Sequence, residues 1–368
     1  MKRFRTAVAL AALALAASSL TPAQNDSAAA AAQSGDLKIY WIDVEGGAST
    51  LFVSPTGESL LFDTGYAVGD RDAKRIYATA QKAGLKQIDH VVISHWHADH
   101  EGGLAALSKM IPLGKFYDHG DGVEPVDRVR LEDYKAIAGA KRNIVKPGDT
   151  IPLSGVQIQV VSSEGPVIGK AINGGGPNPL CANAPQMGAA GPENQRMVGF
   201  LLTYGKFKLL SLADLDWQKE MELACPINKL GTVTVYTVGR HGGLDDTAAP
   251  AFIGAIKPQV MVMNNGPRKG LGQSDDRAKP IEVPGKPFTP YERNSYLRLA
   301  KNPGVEGIWQ EHLSMLDKDP SHNTAPDMIA NLDEAGDQGF GISTSVGADG
   351  KFTVTNARNG FSKTYAAR

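Results

Sequence analysis

Three short apolar runs follow one another early in the chain: LKIYWIDV from Leu37, STLFVSP from Ser49 and ESLLFDTG from Glu58, separated by EGGA and TG. Apolar runs of this length between glycine-containing turns predict three strands of a meander. RDAKRIYATAQKAGL, from Arg71, has helical spacing and a glycine cap at Gly84, and IDHVVISH, from Ile88, returns to strand. LAALSKMI, from Leu104, predicts helix again. VQIQVVSS, MVGFLLTYG, FKLLSLAD and VTVYTVG, between Val156 and Gly239, predict further strands, with WQKEMELA from Trp217 as a helix among them. Strands and helices mixed in this order predict a layered α/β architecture with at least two sheets. The pattern lapses over 164–196 and 266–292, where Gly and Pro abound; loops of that length are functional covers or disorder.

The first residues follow a different logic. Lys2, Arg3 and Arg5 precede an apolar run from Thr6 to Leu20, and Thr21-Pro22-Ala23 offers small residues for cleavage. Residues 1–23 are therefore expected to be a signal peptide, 24–36 a disordered leader, and 37–368 a single domain. The mature protein is expected to be exported, periplasmic or secreted, with no membrane segment after cleavage.

Composition, 42% hydrophobic and 21% charged, is that of an ordinary soluble globular protein. The chain has 38 basic and 39 acidic residues; without Lys2, Arg3 and Arg5 it has 35 against 39, a net charge of −4. No basic excess is present to hold an extended nucleic-acid backbone, which points to a small-molecule or nucleotide-like substrate. Oligomeric state stays open. The two cysteines, Cys181 and Cys225, are either a disulfide suited to an oxidising compartment or two buried thiols.

Candidate chemistry is concentrated in SHWHADHEGG, 94–103, where three of the eight histidines fall within six residues. Residues two apart on an extended segment point the same way, so His95 and His97 can converge on one metal ion. Asp99 and His100 follow as the chain turns, and Gly102-Gly103 lets the next helix start close by. Such crowding of imidazole and carboxylate is costly without a cation. These donors suit zinc first, with iron or manganese as alternatives.

SHWHADHEGG resembles the HxHxDHxGG signature of the metallo-β-lactamase superfamily. That resemblance implies an αββα sandwich, two mixed β-sheets packed face to face with helices on the outer faces. LLFDTG, 60–65, resembles the strand-end Asp-Thr-Gly of that fold, implying that Asp63 supports the ligand loop. NQRMVGFLLTYGKFKLLSLADLD, 194–216, is similar to the strand pair ending in the bridging aspartate, here Asp214, and VYTVGRHGG, 235–243, offers His241 as the last ligand. WIDVEGGASTLFVSPTGESLLFDTG resembles the opening of the corresponding domain in ComEC-type competence proteins. The implied metal ligands are His95, His97, Asp99, His100, Asp214 and His241, holding two divalent ions. Two departures stand out. No histidine occupies the usual third-ligand position after VQIQVVSS, where Glu164 is the nearest ligand type and is expected not to serve, and Arg240 stands where relatives have the first histidine of a pair.

Two such ions about 3.5 to 4 Å apart activate a water and stabilise charge on the substrate oxygen, which makes hydrolysis the reaction class. Asp99 is expected to orient the nucleophile; His312, in IWQEHLS, is the candidate proton donor, and His119, in FYDHGDG, is within the same reading, a structural role being the alternative for each lone histidine. Asn264-Asn265-Gly266 with Arg268 and Lys269 offers a place for an anionic group. The expected function is exported hydrolysis of a phosphodiester or other small anionic ester. The alternatives are lactone or β-lactam hydrolysis, or a non-catalytic metal- or ligand-binding module.

Overall fold

The computed structural model describes residues 1, 35–125, 127–243, 246–273, 280–281, 294–317, 319–334 and 338–368. The signal-peptide reading and 24–34 of the leader lie outside the described residues, as does most of 266–292. Gly35 and Asp36, the end of the expected leader, are tied down: Tyr204 donates to the Gly35 carbonyl and Ser345 to the Asp36 carboxylate.

The N-terminal meander forms as its pattern requires, with β1 at Leu37–Trp41, β2 at Thr50–Val53 and β3 at Ser59–Phe62 pairing antiparallel. Helix α1, Arg71–Lys82, crosses over to β4, Ile88–Val92, which lies parallel to β3. Two single-turn helices, α2 (Ala98–Glu101) and α3 (Leu104–Leu107), lead to β5, Leu113–Asp118, and helix α4, Asp127–Ala138, to β6, Arg142–Ile144. Parallel pairing continues from β4 through β6.

The second half builds another sheet. Strands β7 (Thr150–Ile151) and β8 (Gln157–Ser162) are followed by β9 (Gln186–Met187), β10 (Gly199–Tyr204) and β11 (Phe207–Ser211). Helix α5 (Trp217–Ala224), strand β12 (Val235–Thr237), helices α6 (Gly239–Gly242) and α7 (Pro250–Ile256), and strand β13 (Val260–Met263) come next. After β14 (Pro280–Ile281), which pairs with β9 alone, come α8 (Ser295–Ala300), β15 (Gly307–His312), β16 (Ile329–Asn331), β17 (Ile342–Val346), β18 (Lys351–Asn356) and β19 (Ser362–Ala366). One sheet runs β19-β18-β17-β1-β2-β3-β4-β5-β6 and the other β16-β15-β13-β12-β11-β10-β8-β7. Both are mixed, since each joins antiparallel pairs to a parallel run.

Three apolar clusters define the layers. Trp41, Phe52, Phe62, Phe200, Leu209 and Trp309 fill the space between the sheets, where Phe200 meets Phe62 edge-on with ring centroids 4.9 Å apart. Ile76, Leu104 and Tyr134 pack helices α1, α3 and α4 on the outer face of the first sheet, and Trp217, Phe252 and Leu299 pack α5, α7 and α8 on that of the second. This is the αββα sandwich of the metallo-β-lactamase fold. Full burial of each large side chain stabilises it by about 1.5 to 3 kcal/mol.

Residues Asp43, Asp63, 94–100, Asp214, Gly239–Gly242 and 264–269 all follow the C-terminal ends of strands that run the same way, β1, β3, β4, β11, β12 and β13. The fold therefore gathers them along one edge of the sandwich, the position where open α/β sheets place their ligands. Among the described residues no helix is long and apolar enough to cross a membrane.

Candidate metal centre

Asp63 anchors the site. Its backbone sits in the left-handed region, at φ 63°, and its buried carboxylate accepts from Ser94 N at 2.7 Å, from Ser94 Oγ at 2.8 Å and from His100 Nδ1 at 2.8 Å. The last bond fixes the ring of His100 so that Nε2 faces inward. There it lies 3.3 Å from Asp214 Oδ1 and 3.5 Å from Asp99 Oδ2. His241 Nε2 lies 2.9 Å from the same Asp99 oxygen and 3.3 Å from the same Asp214 oxygen. Asp99, His100, Asp214 and His241 thus offer four donor atoms within 4.8 Å of one another, all on buried residues.

Close packing keeps this geometry. A Cβ on Gly103 would stand 2.1 Å from the Thr64 carbonyl, so only glycine lets the HADHEGG turn lie against the Asp-Thr-Gly loop. Gly270, at φ +84°, is pressed against the His241 carbonyl, 1.8 Å from where its own Cβ would be.

The donor set fits a divalent cation. His100 Nε2, His241 Nε2 and Asp214 Oδ1 are buried without a hydrogen-bond partner, a costly state that a shared cation relieves. Burial pushes the Asp99 and Asp214 carboxyls up, but His100 with Lys269 at Asp99, and His241 with His100 at Asp214, outweigh it and hold both well below the carboxylate range. For His100, burial works against charge, yet Asp214, Asp99 and Asp63 raise the imidazole well above its usual value; a metal ion held by these donors would take the place of the proton.

His95 and His97 form the adjoining pair, with His95 Nε2 2.9 Å from His97 Nδ1 and the His95 ring centroid 4.1 Å from that of His100. Burial, then His100 and His97, hold the His95 imidazole well below its usual range, so it is neutral and able to ligate. His95 and His97 therefore lie beside the group but outside the four donors that converge within 4.8 Å. Glu164 is exposed.

Arg240 is directed elsewhere. Both Arg240 and His241 adopt left-handed backbone angles, φ 49° and 55°, and the turn sends Arg240 Nε to 3.0 Å from Asp246 while His241 faces Asp99. Position 241 therefore presents the imidazole.

One expectation is corrected. His312 does not enter the centre: its Nε2 meets Asp43 Oδ1 at 2.7 Å, in a buried contact between the sheets, so it is not placed to donate a proton to a substrate there. His119 is buried against Glu193, 2.8 Å away, and that glutamate also accepts from Trp96 N. Of the loop 264–269, Asn264 and Asn265 hold the carbonyls of Gly47 and His312, and the exposed Arg268 pairs with Glu334. Lys269 alone reaches the centre, contacting Asp99 Oδ2 and donating to Tyr66 OH at 2.6 Å. Burial lowers its ammonium pKa, but Asp99 and Tyr66 raise it on balance, so Lys269 is a fixed cation. Tyr66 and Ser94 escaped the sequence reading, although both flank motif residues.

Residues 42–179 match the family model of the metallo-beta-lactamase superfamily, a span that includes Asp63 and the HxHxDH motif and ends before Asp214. The chain is 28% identical over 119 residues to the atrochrysone carboxyl ACP thioesterase of Aspergillus fumigatus, covering 32% of this chain and 24% of that protein. It is 30% identical over 100 residues to Integrator complex subunit 11 of Gallus gallus, covering 26% and 17%. The match thus spans about a quarter or less of the length of these relatives. Among solved structures, the metallo-beta-lactamase fold protein YhfI of Bacillus subtilis aligns at 13% identity with a TM-score of 0.43, covering 75% of this chain and 96% of that one. A putative metal-dependent hydrolase of Parabacteroides distasonis aligns at 14% with a TM-score of 0.39, covering 74% and 97%.

Proposed function

We propose that this protein is a metal-dependent hydrolase of a phosphodiester or other small anionic ester, with His95, His97, Asp99, His100, Asp214 and His241 holding two divalent ions. The observation that carries the reading is the buried convergence of Asp99, His100, Asp214 and His241 beside the fixed cation of Lys269. Bound divalent ions supply an activated water and an electrophilic contact for the substrate oxygen. The chain supplies the rest. Asp63 and Ser94 hold His100 in one tautomer and orientation. Asp99 faces His241 on one side and Lys269 on the other, so its carboxylate is positioned to orient a nucleophile while Lys269 receives substrate anion. With His312 and His119 both engaged elsewhere, Lys269 and Tyr66 are the protonated groups at the edge of the centre.

Zinc is the first choice for the ions, with iron or manganese serving the same donors. Export to the periplasm or beyond is supported by the Cys181–Cys225 disulfide, which suits an oxidising compartment. The resemblance to ComEC-type domains favours the phosphodiester, and the mature net charge favours small substrates over long nucleic acid. The test is turnover by the purified, metal-loaded protein of a model phosphodiester, a lactone, a β-lactam and a thioester, with Asp214→Ala as control. Phosphodiester turnover lost in the variant supports the proposal; turnover confined to the cyclic substrates or thioester replaces the substrate class, and metal loading without any turnover refutes it.

A further inference from the structure

Trp96 stands between His95 and His97, and both peptide groups that join the two histidines are held by charged side chains. The Trp96 N–H donates to Glu193 Oε1 at 3.1 Å, which fixes the peptide from His95, and Arg130 Nη1 donates to the Trp96 carbonyl at 3.0 Å, which fixes the peptide to His97. The indole is anchored as well. Its Nε1 donates to the Gly120 carbonyl at 3.0 Å, and its ring meets Tyr134 edge-on with centroids 4.9 Å apart.

Glu193 lies between β9 and β10, in the segment that enters the second sheet, yet its fully buried side chain reaches the ligand loop after β4 of the first. A buried carboxylate is costly unless its oxygens are engaged. Here Oε1 also meets His119 Nε2 at 2.8 Å, and Oε2 accepts from Val123 N at 3.2 Å. With its proton on Nε2, His119 donates to Glu193 and leaves only a lone pair at Nδ1, which is buried without a partner. Next to Val123 comes Glu124, whose carboxylate lies 3.6 Å from His97 Nε2. One carboxylate thus holds both the chain before His97 and the loop that borders its ring.

We infer that Glu193, with Arg130 as its counterpart on the other peptide, is a positioning residue for the His95 and His97 pair. His95 Nε2 and His97 Nδ1 face one another at 2.9 Å, and rotation of either planar peptide at Trp96 would turn one ring away from the other. Bonds to a charged partner resist that rotation more strongly than neutral ones. With no histidine in the usual third-ligand position after VQIQVVSS, an ion on this pair depends on the direction of two imidazoles. His100, in the neighbouring group of donors, is held directly by Asp63, so the effect of Glu193 falls chiefly on one ion. The inference rests on the reading of His95 and His97 as ligands of one of the two ions.

Cobalt(II) titration of the metal-free full chain, followed by its absorption bands and by chelator competition, tests this without reference to turnover. The binding step that belongs to the pair is the one His97→Ala removes. Glu193→Ala is expected to weaken that step by about 10- to 100-fold and to leave the other within twofold of wild type. Glu193→Gln, whose amide oxygen still accepts from Trp96 N and His119, should recover most of the loss, and Arg130→Met, which frees the other peptide, should weaken the same step. Affinity for that step within twofold of wild type, in whichever of Glu193→Ala and Arg130→Met folds, overturns the proposal. Equal weakening of both steps also overturns it, since that marks residues that only support the fold. A wild-type titration with no step sensitive to His97→Ala instead removes the ligand pair itself, and the proposal with it.

Discussion

His100 Nδ1 lies 2.8 Å from Asp63 Oδ2, a bond between a residue at the end of β3 and one in the turn after β4. Asp63 is fully buried and also receives both the backbone and the hydroxyl of Ser94, so one carboxylate sets the orientation of the whole donor loop. Partners of this kind typically account for 10- to 100-fold in metal affinity. Asp63→Ala is expected to weaken metal binding by about that factor. Competition with a chromogenic chelator measures it, and affinity within twofold of wild type would show that Asp63 only shapes the turn.

Lys269 is argued to receive the anionic part of the substrate. Lys269→Met should raise KM for a charged ester by roughly 10-fold or more, equivalent to about 1.4 kcal/mol, while metal content stays the same. Steady-state kinetics on charged and uncharged esters separate the two effects. An equal loss on both substrates would assign Lys269 to the support of Asp99 instead.

Glu220 lies fully buried beneath the start of α7, accepting from Thr247 Oγ1 and Ala249 N, both at 2.8 Å, and from Ala248 N and Tyr236 OH. Burial outweighs those bonds and raises its carboxyl from 4.5 to about 7. Between these values the folded chain holds a proton that the unfolded chain has lost, so stability falls as pH rises from 4.5 to about 7 and is level above that. The contribution is roughly 3 kcal/mol. Denaturant midpoints of wild type and Glu220→Gln across that range check it; parallel curves would remove Glu220 as the cause.

The Cys181–Cys225 bond ties the glycine-rich stretch 164–196 to the end of α5 across a sequence separation of 44. Closing a loop of that size stabilises the folded state by roughly 4 kcal/mol in the chain-entropy view. Reduction, or Cys181→Ser with Cys225→Ser, should lower the unfolding free energy by a substantial part of that amount. An unfolding curve unaffected by reductant would place the stability of this loop in its other contacts.

Local pattern carried much of the fold. WQKEMELA forms α5 over Trp217–Ala224, and the meander occupies β1 to β3, because spacing within one segment determines which face is buried. The HxHxDH turn was legible because its donors lie close together in sequence, and Asp63 through the resemblance of LLFDTG to a strand-end Asp-Thr-Gly. Contacts between distant segments were not. His312 reads like a free proton donor until the sheets pack and bring it to Asp43, 269 residues away. His241 was named through the resemblance of VYTVGRHGG, but the two consecutive left-handed backbone conformations that turn Arg240 toward Asp246 are not announced by the sequence. The loop 264–269 offered several polar groups, and only the pairing of Arg268 with Glu334 and of the asparagines with backbone carbonyls leaves Lys269 at the centre.

The most direct test is the divalent-metal content of the wild-type chain and of Asp214→Ala, purified side by side and measured by elemental analysis. The account predicts stoichiometric metal in the wild type and loss of the ions of the hydrolytic centre in the variant. Equal metal content in the two folded chains would contradict it.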